Sequence, residues 1–451
     1  MSKYFGTDGF RGEVNKTLTT EHAWKIGRFL GHYFSKEHRA KVVIGKDTRR
    51  SSYSLEYALV AGLTASGADA YILHVTTTPS VSYITRTDGF DCGIMISASH
   101  NPYHDNGIKL FGSNGEKMDD YVIALIEEYL DGEGDVGFVG GDKIGVAIDY
   151  VSGRNRYIGH LISLATVSYR GMKVGLDCAN GSAWMIAKSV FDALGAKTYV
   201  INNEPDGSNI NVGGSTHIEM LQCLVKANNL DVGFAFDGDA DRCIAVDERG
   251  EVVDGNGILY VAGKYLKHKR ALDNDVVVAT KMSNLGLWKA LDECGIRVSL
   301  TEVGDKNVHD RMIEYGYSLG GEESGHIIFD KLSTTGDGII TAISLMEIIC
   351  TAEKPLSELV SGYHPYPQRT VNLKVSDKDA VCRDDYVLSE VEKVAKALVE
   401  TGRIVFRKSG TEPMVRIMVE ADDSDKCARL ADRVVRAIRK RGYLGGDGDD
   451  E

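Results

Sequence analysis

The chain of 451 residues is 43% hydrophobic and 26% charged, the composition of a soluble globular protein too long for one core, so three or four domains are expected. Its net charge of −13 opposes general affinity for nucleic acid or an anionic membrane, while leaving phosphate binding open wherever a few basic side chains converge. The eight cysteines include no C-x-x-C pair, which excludes a disulfide framework and a zinc cluster; with an N-terminus, MSKYFGTDGFRG, that lacks an apolar leader core, they indicate reduced thiols in a cytoplasmic protein.

Three segments repeat one logic along the chain. An apolar strand over 41–45 turns through KDTRRSS into the helix LEYALVAGLTASG, ends at Gly67, and returns as a strand over 70–75. The second copy is a strand at 173–177, the turn CANGS, a helix to Gly195 and a strand at 197–201; the third is a strand at 275–279, the turn TKMSN, a helix to Gly295 and a strand at 297–301. Each reads as a βαβ unit with glycine just past the helix end, so three related α/β domains in tandem are expected. The longest apolar run, 339–350, contains Glu347 and is too short to span a bilayer. Beyond 366 the pattern changes to strands at 368–375, 403–407 and 414–420 and amphipathic helices at 385–400 and 425–441, a small α+β domain. The boundaries are 1–150, 151–254, 255–365 and 366–444, with a tail, GGDGDDE at 445–451, expected to be disordered.

Chemistry concentrates in five loops. In the run 92–111, CGIMISASHNPYHDNGIKLF, a buried strand passes into a tight polar turn, as at the ligand edge of α/β sheets. Ser99 would need activation, its nearest helpers in sequence are His100 and Lys109, and adjacent side chains rarely face one another in an extended loop. The G-x-S-x-G elbow is absent, which argues against a serine hydrolase, and alone SASHNP reads best as a turn. Asp237, Asp239 and Asp241 in DGDADR offer alternate carboxylates to a hard divalent cation. An EF-hand is rejected because Arg242 takes the sixth position, where glycine is needed, and because the flanks VGFAF and CIAVD are strands. The alternative, a solvated acidic turn, would place three carboxylates together between apolar strands without a counter-ion. Arg407, Ser409, Gly410 and Thr411 in RKSGTEP, with Arg416, suit a phosphate. Arg11 in GTDGFRG can reach another phosphate, and Glu322, Ser324 and His326 in GEESGH suit sugar hydroxyls and proton transfer. Taken alone, RKSGTEP reads best as a basic hairpin loop, the short Gly/Arg loop GTDGFRG is weakly specific, and GEESGH is also compatible with a capped turn.

GTDGFRG, SASHNP, DGDADR, GEESGH and RKSGTEP, in that order over essentially the whole chain, resemble the α-D-phosphohexomutase superfamily. GTDG near the N-terminus, ISASHNPYHDNGIK and TTGDG at 334–338 look most like its phosphoglucosamine mutase branch, although that branch commonly has GEQS where this chain has GEES. The resemblance implies three tandem mixed-sheet α/β/α domains and a smaller C-terminal α+β domain around a central cleft, with a hinge about 362–370. It implies that Ser99 is a phosphoserine, that Ser99, Asp237, Asp239 and Asp241 hold Mg²⁺, and that Arg242 meets the phosphoserine. Lys109 with His100 or His326 would be the acid–base groups, and Arg11 would hold the reacting phosphate. Glu322 and Ser324 would meet the sugar, and Arg407, Ser409, Gly410, Thr411 and Arg416 the second phosphate. The reaction implied interconverts glucosamine 6-phosphate and glucosamine 1-phosphate through glucosamine 1,6-bisphosphate, on the route to UDP-N-acetylglucosamine. Hexosamine phosphate is then the partner, with no nucleic acid and no membrane, in a monomer or homodimer. A phosphoglucomutase/phosphomannomutase acting on neutral sugars is the alternative, with Glu323 the residue at issue; a metal-dependent phosphatase and a non-catalytic sugar-phosphate sensor are further ones.

Overall fold

A computed structural model describes residues 3–399, 401–409 and 414–444. Its contacts divide the chain into two compact units, one of Met1–Ser283 with Leu291–Gly362 and the other of Asn284–Ala290 with Tyr363–Glu451. The tail 445–451 and the loop residues Gly410 and Thr411 lie outside the described residues.

The first unit contains three mixed sheets. The first is built from β1 (Phe5–Gly6), β2 (Gly9–Glu13), β3 (Lys41–Lys46), β4 (Asp69–Val75), β5 (Cys92–Ile96), β6 (Asp105–Gly112) and β7 (Ala147–Asp149), in the order β1-β2-β6-β5-β3-β4-β7. β3 and β5 are buried apolar runs rather than alternating ones because they are parallel strands in the middle of the sheet, with helices to cover them. The second sheet comprises β8 (Lys173–Asp177), β9 (Lys197–Ile201), β10 (Val232–Phe236), β11 (Cys243–Asp247) and β12 (Val252–Val253), in the order β12-β11-β10-β8-β9. The third comprises β13 (Val276–Thr280), β14 (Arg297–Thr301), β15 (Leu319–Gly321) and β16 (Ile327–Phe329), in the order β14-β13-β15-β16.

The three βαβ units form as the periodicity indicates, with β3 beside β4, β8 beside β9 and β13 beside β14, all parallel. Pairing adds a second regularity that no local pattern contains. In each sheet the next strand runs parallel to the βαβ pair and then folds back as an antiparallel hairpin: β5 into β6, β10 into β11, β15 into β16. The serine loop, the acidic loop and the GEESGH loop are the tips of these three hairpins.

In the second unit, β17 (Gln368–Lys374), β18 (Gly402–Lys408) and β19 (Met414–Ala421) form an antiparallel sheet in the order β17-β19-β18. The helix Ser424–Lys440 buries Cys427, Ala431, Val434 and Ile438, one stripe of an amphipathic helix, against Val415, Ile417 and Val419. Each fully buried Val or Ile contributes about 1.5–3 kcal/mol. Among the described residues no helix is long and apolar enough to cross a membrane; the run 339–350 lies in the largely buried helix Gly338–Ala352. All eight cysteines are free thiols, with Cys92, Cys178, Cys243 and Cys427 buried and Cys223 exposed.

Candidate active site

The site starts from two neighbouring parallel strands. Lys46 of β3 lies opposite Ile96 of β5, so the turns that follow, KDTR and SASHN, leave the sheet side by side. Asp47 Oδ2 accepts from Ser97 Oγ at 2.8 Å, and Ser97 Oγ accepts the Ser99 N–H at 2.9 Å. These bonds help hold Ser99 at a φ of 52°, a left-handed conformation costing a non-glycine residue about 1–2 kcal/mol. The reversal it creates brings His100 Nδ1 to 3.4 Å from Ser99 Oγ. That corrects the expectation for adjacent side chains, which assumed an extended loop.

Ser99 is fully buried and donates from Oγ to Asp237 Oδ2 at 2.5 Å. Asp237, Asp239 and Asp241 are all buried, and each offers a carboxylate oxygen within 4.8 Å of the others. At an effective dielectric near 20, like charges at that spacing repel by roughly 3 kcal/mol per pair. The first counter-charge is a lysine. Lys109 Nζ lies 2.8 Å from Asp239 Oδ2, 3.0 Å from Asp241 Oδ2 and 3.1 Å from Asp8 Oδ2. The register Met95–Lys109 in the β5–β6 hairpin places it there. Burial alone would lower the Lys109 ammonium, but the carboxylates of Asp239, Asp241 and Asp8 outweigh it and hold it well above the usual range. Burial, with Asp241 and Asp239 beside it, pushes the Asp237 carboxyl well up. Asp241 goes the other way because Lys109 and His326 overcome burial. The cluster therefore carries an internal cation, so a counter-charge that the acidic loop requires comes in part from Lys109.

The triad nevertheless fits a divalent cation. Asp239 Oδ1 and Asp241 Oδ1 are buried and have no hydrogen-bond partner, so two hard oxygen donors remain beside Asp237. The loop is fastened from the first sheet's side: Thr78 donates its hydroxyl to Asp239 Oδ2 and its N–H to the Asp239 carbonyl at 3.0 Å.

The basic residues predicted around Ser99 assemble with it. Arg11 pairs with Asp8, and its Nη1 is 3.4 Å from Asn101 Oδ1 in the serine loop. Arg242 donates its N–H to Asp237 Oδ1 at 3.2 Å, and its Nε is 3.9 Å from Asp241 Oδ1. Burial, then the Arg242 and Arg11 cations, lower His100 to about 4, so its imidazole is neutral at pH 7. His326 sits differently. It is buried, neither ring nitrogen has a hydrogen-bond partner, and Nε2 faces Asp305 Oδ2 at 3.6 Å, which Lys117 Nζ also reaches at 2.5 Å. A Cβ at Gly336 would collide with that ring. In TTGDG, then, glycine makes room for His326, while Asp337 caps the helix Gly338–Ala352 through the N–H groups of Ile339 and Ile340.

In the loop before His326, Glu322 Oε1 accepts the Gly304 N–H at 3.0 Å, and Ser324 Oγ is buried without a hydrogen-bond partner. A cleft of about 700 Å³ opens beside the cluster, with Thr7, Asp8, Lys109, Lys117 and Lys306 in its walls; these polar groups suit a charged sugar. In the second unit, Arg407 of β18 lies directly opposite Arg416 of β19. Two like charges facing each other across a sheet are unfavourable unless acidic groups or an anion lie close. Ser409 donates its N–H to the Met414 carbonyl at 2.9 Å.

The sequence pattern does not point to Asp8, Asp47, Arg49, Thr78, Asn211 or Asp305. Asp8 stood inside a recognised loop. The signal for Asp47 and Arg49 was the charged KDTRR immediately after a buried strand, an unusual place for charges with no function.

Four stretches match the domains described as phosphoglucomutase/phosphomannomutase alpha/beta/alpha domain I (residues 2–136), domain II (155–250), domain III (254–366) and C-terminal domain (371–437). The chain belongs to the phosphoglucomutase/phosphomannomutase family. Within this family, it is 60% identical to the phosphoglucosamine mutase of Lachnospira eligens over 98% of this chain and 100% of that one. Among solved structures it resembles a phosphoglucomutase/phosphomannomutase family protein from Burkholderia thailandensis, with a TM-score of 0.80, 25% identity and coverage of 98% and 99%. An Aspergillus fumigatus N-acetylphosphoglucosamine mutase in complex with GlcNAc-6P and magnesium shares the fold, with a TM-score of 0.70 at 18% identity and coverage of 98% and 96%.

Proposed function

We propose that the protein is a phosphoglucosamine mutase, an isomerase that interconverts glucosamine 6-phosphate and glucosamine 1-phosphate through glucosamine 1,6-bisphosphate. The observation that carries the chemistry is the Ser99 hydroxyl seated on Asp237 within a buried carboxylate triad and ringed by Arg11, Lys109 and Arg242. Full-length likeness to phosphoglucosamine mutases at 45–60% identity supports the choice of sugar. The four sheets support reading 1–150, 151–254, 255–365 and 366–444 as four domains, the last carrying the clamp for the non-reacting phosphate.

Phosphorylated Ser99 with Asp237, Asp239 and Asp241 would hold Mg²⁺, which when bound neutralises charge on the phosphoryl oxygens. The P–O bond to Ser99 Oγ breaks as a P–O bond forms to the free hydroxyl of the hexosamine monophosphate; that hydroxyl gives up its proton, and Ser99 Oγ takes one up to become the free serine hydroxyl. Neutral His100, close to Ser99 Oγ, suits proton transfer better than His326, which faces Asp305. Lys109 stays protonated and, with Arg11 and Arg242, stabilises charge on the group in flight. The bisphosphate then presents its other phosphate, and the same steps in reverse regenerate phosphoserine. Glu322 and Ser324 meet the sugar, and Arg407, Ser409 and Arg416, with Gly410 and Thr411, grip the phosphate that does not react. A phosphatase would have no use for a second phosphate clamp.

The test compares kcat/KM for glucosamine 6-phosphate, glucose 1-phosphate and mannose 1-phosphate with phosphorylated enzyme and Mg²⁺. A preference of about tenfold or more for the amino sugar, about 1.4 kcal/mol, supports the proposal. Equal or better turnover of neutral sugars would reassign the substrate while leaving the mutase chemistry intact.

A further inference from the structure

In the interior behind the serine loop, two nitrogen donors, the guanidinium of Arg49 and the amide of Asn211, converge on the same two carbonyl oxygens. Arg49 is fully buried. Its Nη2 donates to the Ser99 carbonyl at 3.0 Å and to the Asn101 carbonyl at 2.8 Å. Asn211 Nδ2, from the segment after β9, donates to the same pair at 2.8 and 3.0 Å. Gly238 completes the enclosure: a Cβ there would stand 2.6 Å from the Ser99 carbonyl oxygen.

The clamp is itself anchored. Arg49 Nε lies 3.1 Å from Asp47 Oδ2, the atom that also takes the Ser97 hydroxyl. Its neighbour Thr48 donates to the Asn180 carbonyl at 2.7 Å, and Asn211 N–H donates to the Ala179 carbonyl at 2.8 Å. The turn after β3 is thereby tied both to the serine loop of the first sheet and to the turn after β8 in the second, whose hairpin tip carries Asp237.

We propose that Arg49 and Asn211 are positioning residues for phosphoryl transfer at Ser99. By holding the Ser99 and Asn101 carbonyls they keep Ser99 in its left-handed conformation with its hydroxyl over Asp237, while the phosphoryl group leaves and another returns. This rests on the mutase reading above. Such a reaction makes an unusual demand, because one serine must meet two chemically different ends of a sugar in the same geometry. A loop shaped by the ligand would differ between the two half-reactions; a loop clamped from behind does not. Since Arg49 is sealed from the cleft, its loss acts on turnover rather than on substrate affinity, and a misplacement of about 1 Å costs about 100-fold.

The experiment uses the full-length phosphorylated protein and the variants Arg49→Lys, Arg49→Ala and Asn211→Gly, the last keeping the φ of 62° accessible without the amide. Steady-state kinetics on glucosamine 6-phosphate with Mg²⁺ are measured on variants that retain a cooperative melt. Hydrogen exchange of the peptide spanning 92–103 is followed in parallel. Expected is a fall in kcat of about 100-fold for both Arg49 variants and at least about tenfold for Asn211→Gly, with KM within about threefold of the parent. Millimolar guanidinium should restore activity to Arg49→Ala and not to Ser99→Ala, and exchange over 97–101 should quicken in the clamp variants alone. A fall in kcat below about tenfold in folded variants overturns the inference, as does a loss expressed in KM. If Arg49→Ala does not fold, Asn211→Gly decides. If the parent protein turns over none of the phosphosugars, the mutase reading fails, and exchange alone decides the clamp: unchanged exchange in the variants refutes it.

Discussion

Replacing Lys109 with methionine, which keeps the length of the stem and removes the charge, probes the electrostatic balance of the site directly. The ammonium sits 2.8, 3.0 and 3.1 Å from Asp239, Asp241 and Asp8. At an effective dielectric of about 20, each contact contributes roughly 5 kcal/mol of gross attraction. Most of that is offset by taking the four charges out of water, and the consequence of deleting one partner of a buried ion pair is about 3–5 kcal/mol. In a unit of this size each kcal/mol moves the melting temperature by roughly 2 °C, so Lys109→Met should melt about 6–10 °C lower. The loss should also be conditional. With the ammonium gone, the carboxylates of Asp239 and Asp241 lose a competing cation and can bind a divalent one more fully, and Mg²⁺ at 100 times its Kd stabilises by about 2.7 kcal/mol. Thermal unfolding of parent and variant with and without Mg²⁺ should therefore show the larger Mg²⁺-dependent rise in the variant. The reasoning is refuted if Lys109→Met melts within about 2 °C of the parent, or if Mg²⁺ raises both by the same amount.

The other outcomes concern single groups. Ser99→Ala should lose more than about 10³-fold in kcat and take up no label from bisphosphate; retained turnover would remove the phosphoserine from the mechanism. His100, held near 4 in the fold against 6.5 ordinarily, is neutral there while the unfolded chain takes up a proton. Stability should therefore fall as pH drops from 6.5 towards 4, by about 1–2 kcal/mol once its partial exposure is allowed for, and be unaffected above that window. Denaturant titrations of His100→Gln across this range should show a shallower decline; parallel curves would contradict the assignment. Gly336→Ala drives a methyl group into the buried His326 ring, so about 1–3 kcal/mol of stability should be lost. Turnover should fall with it, and an unchanged melt would mean the ring has room to move. Asp239→Asn should weaken Mg²⁺ activation, measured as the Mg²⁺ concentration giving half-maximal rate, and an unchanged titration would rule out the proposed ligand set.

The local sequence reached far into the site because its chemistry is packed into contiguous loops. Asp237, Asp239 and Asp241 lie within five residues between two buried strands, so their convergence needs only a tight hairpin tip. The βαβ units were legible for the same reason, their apolar runs and the glycines at 67, 195 and 295 being short-range signals. Pairing was not legible. Lys109 acquires its partners more than a hundred residues away through the register of β6 against β5. Asp47 and Arg49 read as turn residues until β3 and β5 are laid side by side, and Asn211 carries no motif at all. The turn at Ser99 was visible, but not the positive φ that swings His100 towards the hydroxyl, because the bonds that help hold it come partly from outside the loop, Asp47 among them. The sequence by itself determined which loops carry chemistry and what kind, since those loops hold their own donors. Only the tertiary structure decided which charges neutralise one another and which histidine stands at the serine, since burial and strand register are set by parts of the chain that are neighbours only after folding.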